Sequence, residues 1–444
     1  MKSLLLTVMA VLTASFVFAE AVNVTAYQRW PWNGKVDITY TIPDTGSAIT
    51  PIYEVKFYVS INGGSPTLIS AVEGEGASGI LFGPGIRKAV WDAHADFPAL
   101  ECCTAKIGIT AEDISASAKY LKMDLATGKM VAGLEGPVVE KGADCKVTEL
   151  WFKKVNPATF TMGSGSTEQK RESNETQHTV TITKPYYIAL FELTQGQLKL
   201  MTGENPSYFQ SAPHYKGADA DFHPVEQISY NTLRGTSAGA TWPTETDYRV
   251  DPTSLIGKMR AKFGNAIIFD LPTEAQWEMA CRAVEKEDGT YEFRGDNVFN
   301  NGLPYVNIGG ADSNLEKIAW TNSNCAKDEN GDSESWITDF EGGYHTHEVG
   351  LKPPGGVGLY DMHGNVFELC LDWYADDITS LNYDPAGPET PQIFVINGVN
   401  RTYRCKRGGW ISGSDKYFRM AYRGRSLVNS SDKFGGCRLV IVIR

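Results

Sequence analysis

The turn within residues 356–373 holds the side chains whose types and spacing best suit chemistry. Asp361 and Glu368 supply carboxylates there, and the main-chain carbonyls of Gly364 and Val366 lie between them in the sequence. Hard oxygen ligands of this kind suit Ca²⁺. On spacing alone another interpretation is favoured, in which Asp361 caps the turn and Glu368 pairs with an arginine in the core, because carboxylates near turns are usually capping groups.

Local patterns predict the elements that surround this turn. Directly after it, residue types alternate as in a strand, which sends successive side chains to opposite faces. Thr273 and Gln276 match a capping box, which predicts a helix over residues 274–284. A second helix is predicted over residues 193–201, with Thr194 as its N-cap.

Short motifs follow one another along the chain in a fixed order. They are Phe160-Thr161-Met162-Gly163, Phe191-Glu192-Leu193-Thr194-Gln195, Asn205-Pro206-Ser207-Tyr208-Phe209, His223-Pro224-Val225, Leu271-Pro272-Thr273-Glu274-Ala275-Gln276-Trp277-Glu278, Gly358-Leu359-Tyr360-Asp361-Met362, Arg407-Gly408-Gly409-Trp410 and Ala421-Tyr422-Arg423. Together they resemble the formylglycine-generating enzyme family, also called the sulfatase-modifying factor family. The resemblance implies a domain over residues 146–444 with a variant of the C-type-lectin-like fold. A shared fold does not by itself imply a shared activity.

The segment that would perform catalysis lacks the residues that the family uses. Active family members oxidise a cysteine of a sulfatase to formylglycine with two cysteines in a C-x4-C arrangement after the Arg-Gly-Gly motif. Those two thiolates are soft ligands that hold Cu(I). Residues 407–419 of this chain contain no cysteine, and Ser412 and Ser414 cannot replace thiolates. We therefore expect no copper and no catalytic residue in this segment.

The cleft that the active site would occupy is instead predicted to bind a partner, either a protein or a glycan. Its candidate contact residues are Trp410, Ser412, Asp415, Tyr417 and Arg423. In the alternative interpretation Trp410 and Arg423 support the core, which is about as common a role for such residues as contact.

The resemblance also affects the interpretation of the turn and of two cysteines. It shifts the preference at the four oxygen ligands of the turn towards one bound Ca²⁺. Family members with disulfides link the region of Cys281 to the last strand, which here carries Cys437 two residues before the matching position, Leu439. This implies a Cys281–Cys437 bridge, and two buried free thiols are the alternative.

The N-terminus has the features of a targeting segment. Lys2 precedes an apolar run, and Val17-Phe18-Ala19 ends it with small residues at the positions that a signal peptidase recognises. We predict a signal peptide over residues 1–19 and export to the periplasm or the medium. The run is short for a bilayer, and Glu20, not the cysteine that a lipoprotein would have, follows the cleavage site. No membrane anchor is therefore expected after cleavage. The formal net charge of −12 argues against binding to nucleic acid.

Residues 20–140 are predicted to form an all-β domain. Short segments rich in Val, Ile, Thr and aromatic residues are separated by turn residues such as Pro43-Asp44-Thr45-Gly46 and Gly63-Gly64. This spacing favours a β-sandwich of the immunoglobulin or fibronectin type. The predicted fold class is mixed, with this sandwich followed by an α+β domain of the C-type-lectin-like, formylglycine-generating-enzyme type that contains much irregular structure.

The sequence thus favours an exported, non-catalytic protein whose second domain binds a protein or a glycan. The alternative is an enzyme, either a sulfatase-maturing oxidase that converts cysteine to formylglycine at a non-standard site or another enzyme on the same fold. The choice depends on the missing cysteine pair.

Overall fold

The computed structural model describes residues 18–20, 22–44, 46, 51–100, 104–211, 219–237, 241–243, 248–263, 267–308, 310–325 and 344–442. The chain divides into two compact units, the first comprising Met1–Glu135, Phe263–Ile268 and Ile443–Arg444 and the second Gly136–Lys262 and Phe269–Val442. The predicted signal peptide lies outside the described residues except at its last two positions, so it stays a prediction. Within these ranges, no helix has the length and apolar content needed to cross a membrane.

The first unit is built mainly of antiparallel strands. They are β1 (Phe18–Glu20), β2 (Val22–Gln28), β3 (Lys35–Ile42), β4 (Ile52–Ile61), β5 (Thr67–Leu68), β6 (Val72–Gly74), β7 (Ile80–Phe82), β8 (Gly85–Asp92), β9 (Ala105–Asp113), β10 (Tyr120–Asp124) and β11 (Met130–Gly133), with the short helix α1 (Ala93–Asp96) after β8. One sheet has the order β1-β9-β4-β5 with β7 beside β4, and the other has the order β2-β3-β8-β6. Strand β10 pairs with β11.

Side chains from both of these sheets meet in one hydrophobic core. On β3 the alternate residues Val36 and Ile38 are buried, as the period of two requires. They belong to the same cluster as Phe57 of β4, Trp91 of β8 and Ile107 of β9. The two sheets of the first unit therefore face each other across a shared core.

The second unit combines small sheets with short helices and long irregular segments. Its strands are β12 (Glu149–Val155), β13 (Ala158–Met162), β14 (His178–Ile182), β15 (Tyr186–Ala189), β16 (Phe269–Asp270), β17 (Ala283–Glu285), β18 (Tyr291–Phe293), β19 (Phe367–Trp373), β20 (Phe394–Ile396), β21 (Val399–Arg401), β22 (Tyr403–Arg407), β23 (Gly424–Leu427), β24 (Gly435–Gly436) and β25 (Val440–Ile441). Its helices are α2 (Gln195–Thr202), α3 (Tyr230–Arg234), α4 (Leu255–Lys262), α5 (Glu274–Arg282) and α6 (Leu315–Ile318), with 3₁₀ turns at Asp144–Lys146, Ala220–Phe222 and Asp415–Phe418. Strands β12, β15, β25 and β16 lie side by side in one sheet, and β23, β22, β19 and β24 form another. The mixed, sheet-rich fold class is confirmed in this coarse form.

Helix α5 begins at the predicted residue, whereas α2 has the predicted N-cap, Thr194, but begins two residues after the predicted start at residue 193. Thr273 caps α5, and its side chain and that of Gln276 form the two reciprocal bonds of a capping box. Thr194 does the same for α2. The predicted end of α5 at residue 284 is wrong by two residues, because the backbone turns extended at Ala283, where β17 begins.

Helix α5 places two carboxylates inside the second unit. Glu274 and Glu278 lie one turn apart and are both buried. Glu278 pairs with Arg407, and Glu274 pairs with Arg423. Each of these buried charges therefore has a partner, which is the condition under which charges are buried at all. The two ion pairs fasten both ends of the segment 407–423 to the helix.

Candidate functional site

The Arg-Gly-Gly motif leaves strand β22 through two glycines in the left-handed region. Gly408 has φ +93° and Gly409 has φ +77°. A Cβ at Gly409 would lie 2.9 Å from the ring of Phe418, so a larger residue would need both strained backbone and displaced neighbours. The chain then forms the 3₁₀ turn that places Tyr417 against Trp410.

Three half-buried rings, those of Trp410, Tyr417 and Tyr422, form what we call the aromatic surface. The centroids of Trp410 and Tyr417 are 4.9 Å apart with 14° between the ring planes, and Tyr417 lies 4.9 Å from Tyr422. The ring of Trp410 also meets the buried Phe367 at 6.2 Å, edge to face. Such ring pairs contribute about 0.5–1.5 kcal/mol each beyond the area they bury, so the rings hold one another in fixed orientations.

The five predicted contact residues do not all lie on this surface. Trp410 and Tyr417 do, and Ser412 is half-buried in the loop between them. Asp415 is buried, and its Oδ2 accepts a hydrogen bond of 2.6 Å from the main-chain N–H of Asp312. Because this bond holds a neighbouring loop, Asp415 is corrected from a contact residue to a supporting one.

Arg423 is also corrected, for the same physical reason. Its guanidinium forms a two-bond pair with Glu274, with Nε 2.8 Å from Oε1 and Nη2 2.9 Å from Oε2. Its Nη1 donates to the main-chain oxygens of Asn174 and Ala375. The side chain is buried and fully engaged, so the alternative of a core-supporting arginine holds.

Tyr422, which is part of the aromatic surface, and Lys406, which lies beside it, are not among the five residues predicted from the sequence. The ammonium of Lys406 lies 3.6 Å from the ring centroid of Phe367 and 5.0 Å from that of Trp410. Burial lowers the pKa of this lysine to about 8, against an opposing effect of Asp432. The sequence did contain a signal for Lys406. Side chains alternate between the two faces of a strand, so a lysine directly before the Arg-Gly-Gly motif lies on the face opposite Arg407.

The residues present do not fit the copper site of the active family members. The cysteines in the described ranges are buried free thiols. Cys405, the one nearest to the motif in sequence, has its Sγ 3.2 Å from Oε2 of Glu274. Burial, and then this carboxylate, raise the pKa of the Cys405 thiol well above its usual range, whereas a soft metal binds the thiolate. The Cys405 thiol is therefore not suited to hold copper.

The predicted Cys281–Cys437 bridge is absent from the structure. Both residues are buried free thiols, as in the alternative interpretation. Cys437 lies two residues before the position that the resemblance indicates, which displaces it by about 6–7 Å along extended backbone. That displacement is as large as the Cα–Cα separation that a disulfide spans. Burial raises the pKa of the Cys281 thiol to about 12.

The two carboxylates of the predicted calcium turn differ in how many of their oxygens have a hydrogen-bond partner. Asp361 Oδ2 accepts a 2.6 Å bond from the N–H of Gly350, whereas its Oδ1 is buried with no hydrogen-bond partner. Glu368 Oε1 lies 2.7 Å from Nη2 of Arg438, and its Oε2 accepts a 2.7 Å bond from the Trp277 indole. Glu368 thus forms the carboxylate–arginine pair of the alternative interpretation, while Asp361 retains an unused oxygen.

Charges of both signs act on Asp361: burial raises its pKa to about 6, the nearby Arg438 and Lys146 lower it, and Glu368 raises it. In the described part of the chain, no three His, Cys, Asp or Glu side chains are grouped to hold a metal, so a cation here would depend on main-chain oxygens such as those of Gly364 and Val366. Burial, followed by the nearby Asp361 and Glu368, raises the pKa of Glu192 well above its usual range. An unpartnered oxygen beside other carboxylates is a site that a hard cation would stabilise.

Two curated relatives show how far the likeness extends. The chain is 26% identical over 268 residues to the "Chaperone protein LppX" of Paenibacillus barcinonensis, which covers 57% of this chain and 79% of that protein. It is 29% identical over 201 residues to the "Formylglycine-generating enzyme" of Thermomonospora curvata, which covers 44% of this chain and 50% of the enzyme. The chain thus spans half the length of that enzyme.

The family itself is shown by a match to more than half of the chain. Among solved structures, "Treponema denticola variable protein 1" aligns with a TM-score of 0.46 and 23% identity, over 69% of this chain and 99% of that one. The family model described as "Sulfatase-modifying factor enzyme 1-like domain" matches residues 152–443. The chain therefore belongs to the sulfatase-modifying factor family, which includes the formylglycine-generating enzymes.

Proposed function

We propose that this chain is an exported, non-catalytic member of its family that binds a glycan through the aromatic surface. The observation that carries the proposal is the flat stack of Trp410 on Tyr417 in the segment where active family members have their thiol pair. Half-exposed aromatic faces suit the apolar C–H faces of sugar rings, because the π-face carries partial negative charge. Rings that are already held in place also reduce the entropy lost on binding.

The non-catalytic part of this proposal rests on the composition of the segment. Residues 407–419 contain serines but no thiol, and serine hydroxyls do not hold Cu(I). The alternative, a sulfatase-maturing oxidase with a non-standard site or another enzyme on this fold, needs reactive groups elsewhere. The thiol of Cys405 is unsuited to that role because its raised pKa keeps it protonated.

A protein partner is the second candidate, and one relative favours it. The relative named as a chaperone matches 79% of its own length to this chain, so the same domain type occurs in a protein named for a binding role. Trp and Tyr are also enriched at the energetic centres of protein interfaces. The aromatic surface would serve as such a centre.

The proposal also includes export of the chain and a specific fold for each of its two units. The charged start and apolar run of residues 1–19 support a signal peptide. Two antiparallel sheets around one core support an immunoglobulin- or fibronectin-type sandwich for the first unit. Membership of the family supports a C-type-lectin-like fold for the second unit.

Replacing Trp410 by alanine is expected to weaken glycan binding by about 30-fold or more, because an aromatic residue at the centre of a binding surface contributes about 2 kcal/mol or more. A glycan array with the full chain would identify the ligand, and calorimetry would compare affinities. The matched control is Tyr383→Ala, which removes a ring that is 77% exposed in the same unit but outside the aromatic surface. Equal glycan binding by Trp410→Ala and the wild type would contradict the proposal. A captured protein that only Trp410→Ala loses would instead establish the second candidate.

We also propose that one Ca²⁺ binds at the turn through Asp361 and the carbonyls of Gly364 and Val366. A chelator is then expected to lower the melting temperature of the second unit, since a ligand at 100 times its Kd stabilises by about 2.7 kcal/mol. Asp361→Asn should melt at the same temperature with and without chelator. Asp288→Asn, which alters an exposed carboxylate of the same unit, should keep the wild-type response. A wild-type melting temperature that ignores both Ca²⁺ and chelator would end this proposal.

A further inference from the structure

We infer that the ligand of the aromatic surface carries an anionic group, a carboxylate or a sulfate ester, that the ammonium of Lys406 binds. The ligand class is therefore an acidic glycan. This inference rests on the glycan binding proposed above and adds to it the chemical group that the site selects.

Among the residues that the structure describes, the ammonium of Lys406 has aromatic neighbours but no hydrogen-bond acceptor. It lies 3.6 Å from the ring centroid of Phe367 and 5.0 Å from that of Trp410. Of the described residues, none accepts a hydrogen bond from it or forms an ion pair with it. A lysine ammonium has three donors, and a partly desolvated cation gains most from an acceptor that also carries charge. An anionic group on a ligand would therefore supply the charged acceptor that the Lys406 ammonium lacks among the described residues.

A neighbouring lysine, Lys416, does have a partner for its ammonium. The ammonium of Lys416 lies 4.9 Å from the ring centroid of Tyr417, yet it also pairs with Glu172 at 3.2 Å. Asp432 acts on Lys406 only through longer-range attraction. Lys406 thus differs from Lys416 because no described residue forms an ion pair with its ammonium.

A glycine on the neighbouring strand leaves space for the aliphatic part, or stem, of the Lys406 side chain. Lys406 of β22 lies opposite Gly424 of β23. A Cβ at Gly424 would be 2.9 Å from Cγ of Lys406, so only glycine leaves room for the stem to lie there. A sugar ring stacked on Trp410 would bring its substituents within reach of the ammonium.

The net charge of the chain makes the effect of one lysine easier to detect. At −12, the chain as a whole repels acidic polymers, so binding of an acidic glycan needs a local positive group. Charges placed at a binding site act more on selectivity than on total affinity. Lys406 is therefore expected to decide between acidic and neutral glycans of similar shape.

The test compares retention of the full chain on three polymers, polygalacturonate, dextran sulfate and neutral dextran. The wild type is expected to bind one acidic polymer at least about tenfold more tightly than dextran, as a charged hydrogen bond allows. Lys406→Met keeps the stem and should lose this preference, whereas Lys406→Arg should retain it. Lys286→Met is the matched control, because it removes one exposed positive charge of the same unit at a residue outside the aromatic surface. The two acidic polymers separate a carboxylate ligand from a sulfate ligand.

The outcomes separate this inference from the proposed function. If the wild type and Lys406→Met bind acidic and neutral polymers alike, while Trp410→Ala binds none, the anionic group is wrong and glycan binding stands. If neither the three polymers nor a glycan array yields a ligand, both fail together. A melting temperature of Lys406→Met equal to that of the wild type shows that any loss of preference is not a loss of folding.

Discussion

Replacing Arg438 by methionine is expected to lower the free energy of unfolding of the second unit by about 3–5 kcal/mol, because it leaves a buried carboxylate without its cation. Arg438 is fully buried, and its Nη2 lies 2.7 Å from Oε1 of Glu368. The guanidinium also donates to the main-chain oxygens of Ala189 and Tyr360, at 3.0 and 2.8 Å. The substitution thus removes the charge partner of Glu368 and the donors of two carbonyls. Urea unfolding followed by circular dichroism measures the change.

Two further variants identify the cause of this loss. Arg438→Met combined with Glu368→Gln should recover part of the stability, because a neutral amide is less costly to bury than an unpaired carboxylate. Arg29→Met breaks the exposed Arg29–Asp37 pair of the first unit and should leave unfolding of the second unit unchanged. Unfolding of Arg438→Met at wild-type urea concentrations would show that the buried pair does not hold this unit together.

The features that the sequence predicted correctly are those set by neighbouring residues. The N-cap at Thr194 and the capping box at Thr273 were both predicted, and each bonds to a residue three positions further on, so these caps are encoded locally. Strand β19 likewise follows from alternation directly after a turn. The ordered motifs gave the family in the same way, because each is a short contiguous segment.

The features that the sequence missed depend on partners far away along the chain. Arg423 was assigned to the cleft that the active site would occupy, with core support as the alternative, and its partner Glu274 lies 149 residues away. Asp415 is held by Asp312, which is 103 residues away. Lys406 shows the converse case, because only the arrangement of the surrounding strands reveals that no described residue accepts a hydrogen bond from its ammonium. The distribution of buried charge in this unit is therefore a tertiary property.

Wild-type stability is expected to fall as the pH rises from 6 to 9, and Asp372→Asn should remove about 3 kcal/mol of that fall. Asp372 is buried on β19, and its Oδ2 accepts a 2.7 Å bond from the main-chain N–H of Glu274. Burial, and then the charge of Glu274, raise the pKa of Asp372 to about 8. The folded protein therefore keeps a proton on Asp372 at a pH where the unfolded chain, with an aspartate pKa of about 3.9, has released it.

The sign follows from this difference in proton binding. Because the folded-state pKa is the higher one, the stabilising contribution of Asp372 is complete below about pH 4 and is lost as the pH rises through about 8. Asparagine cannot ionise, yet it keeps an acceptor oxygen for the N–H of Glu274. Burial also raises the pKa of Glu226 to about 8, so Asp372→Asn should retain a shallower fall of the same sign. Urea midpoints at pH 6, 7, 8 and 9 would measure both slopes.

Asp377→Asn supplies the control for this comparison. Asp377 is exposed five residues further along the chain, and hydrogen bonds from Thr379 lower its pKa. Its substitution should leave the slope above pH 6 unchanged, because both folded and unfolded chains have lost that proton there. Parallel curves for the wild type and Asp372→Asn would mean that Asp372 is ionised in the folded protein. Its carboxylate would then need a cation or ordered water beside it, since burial without either favours the neutral acid.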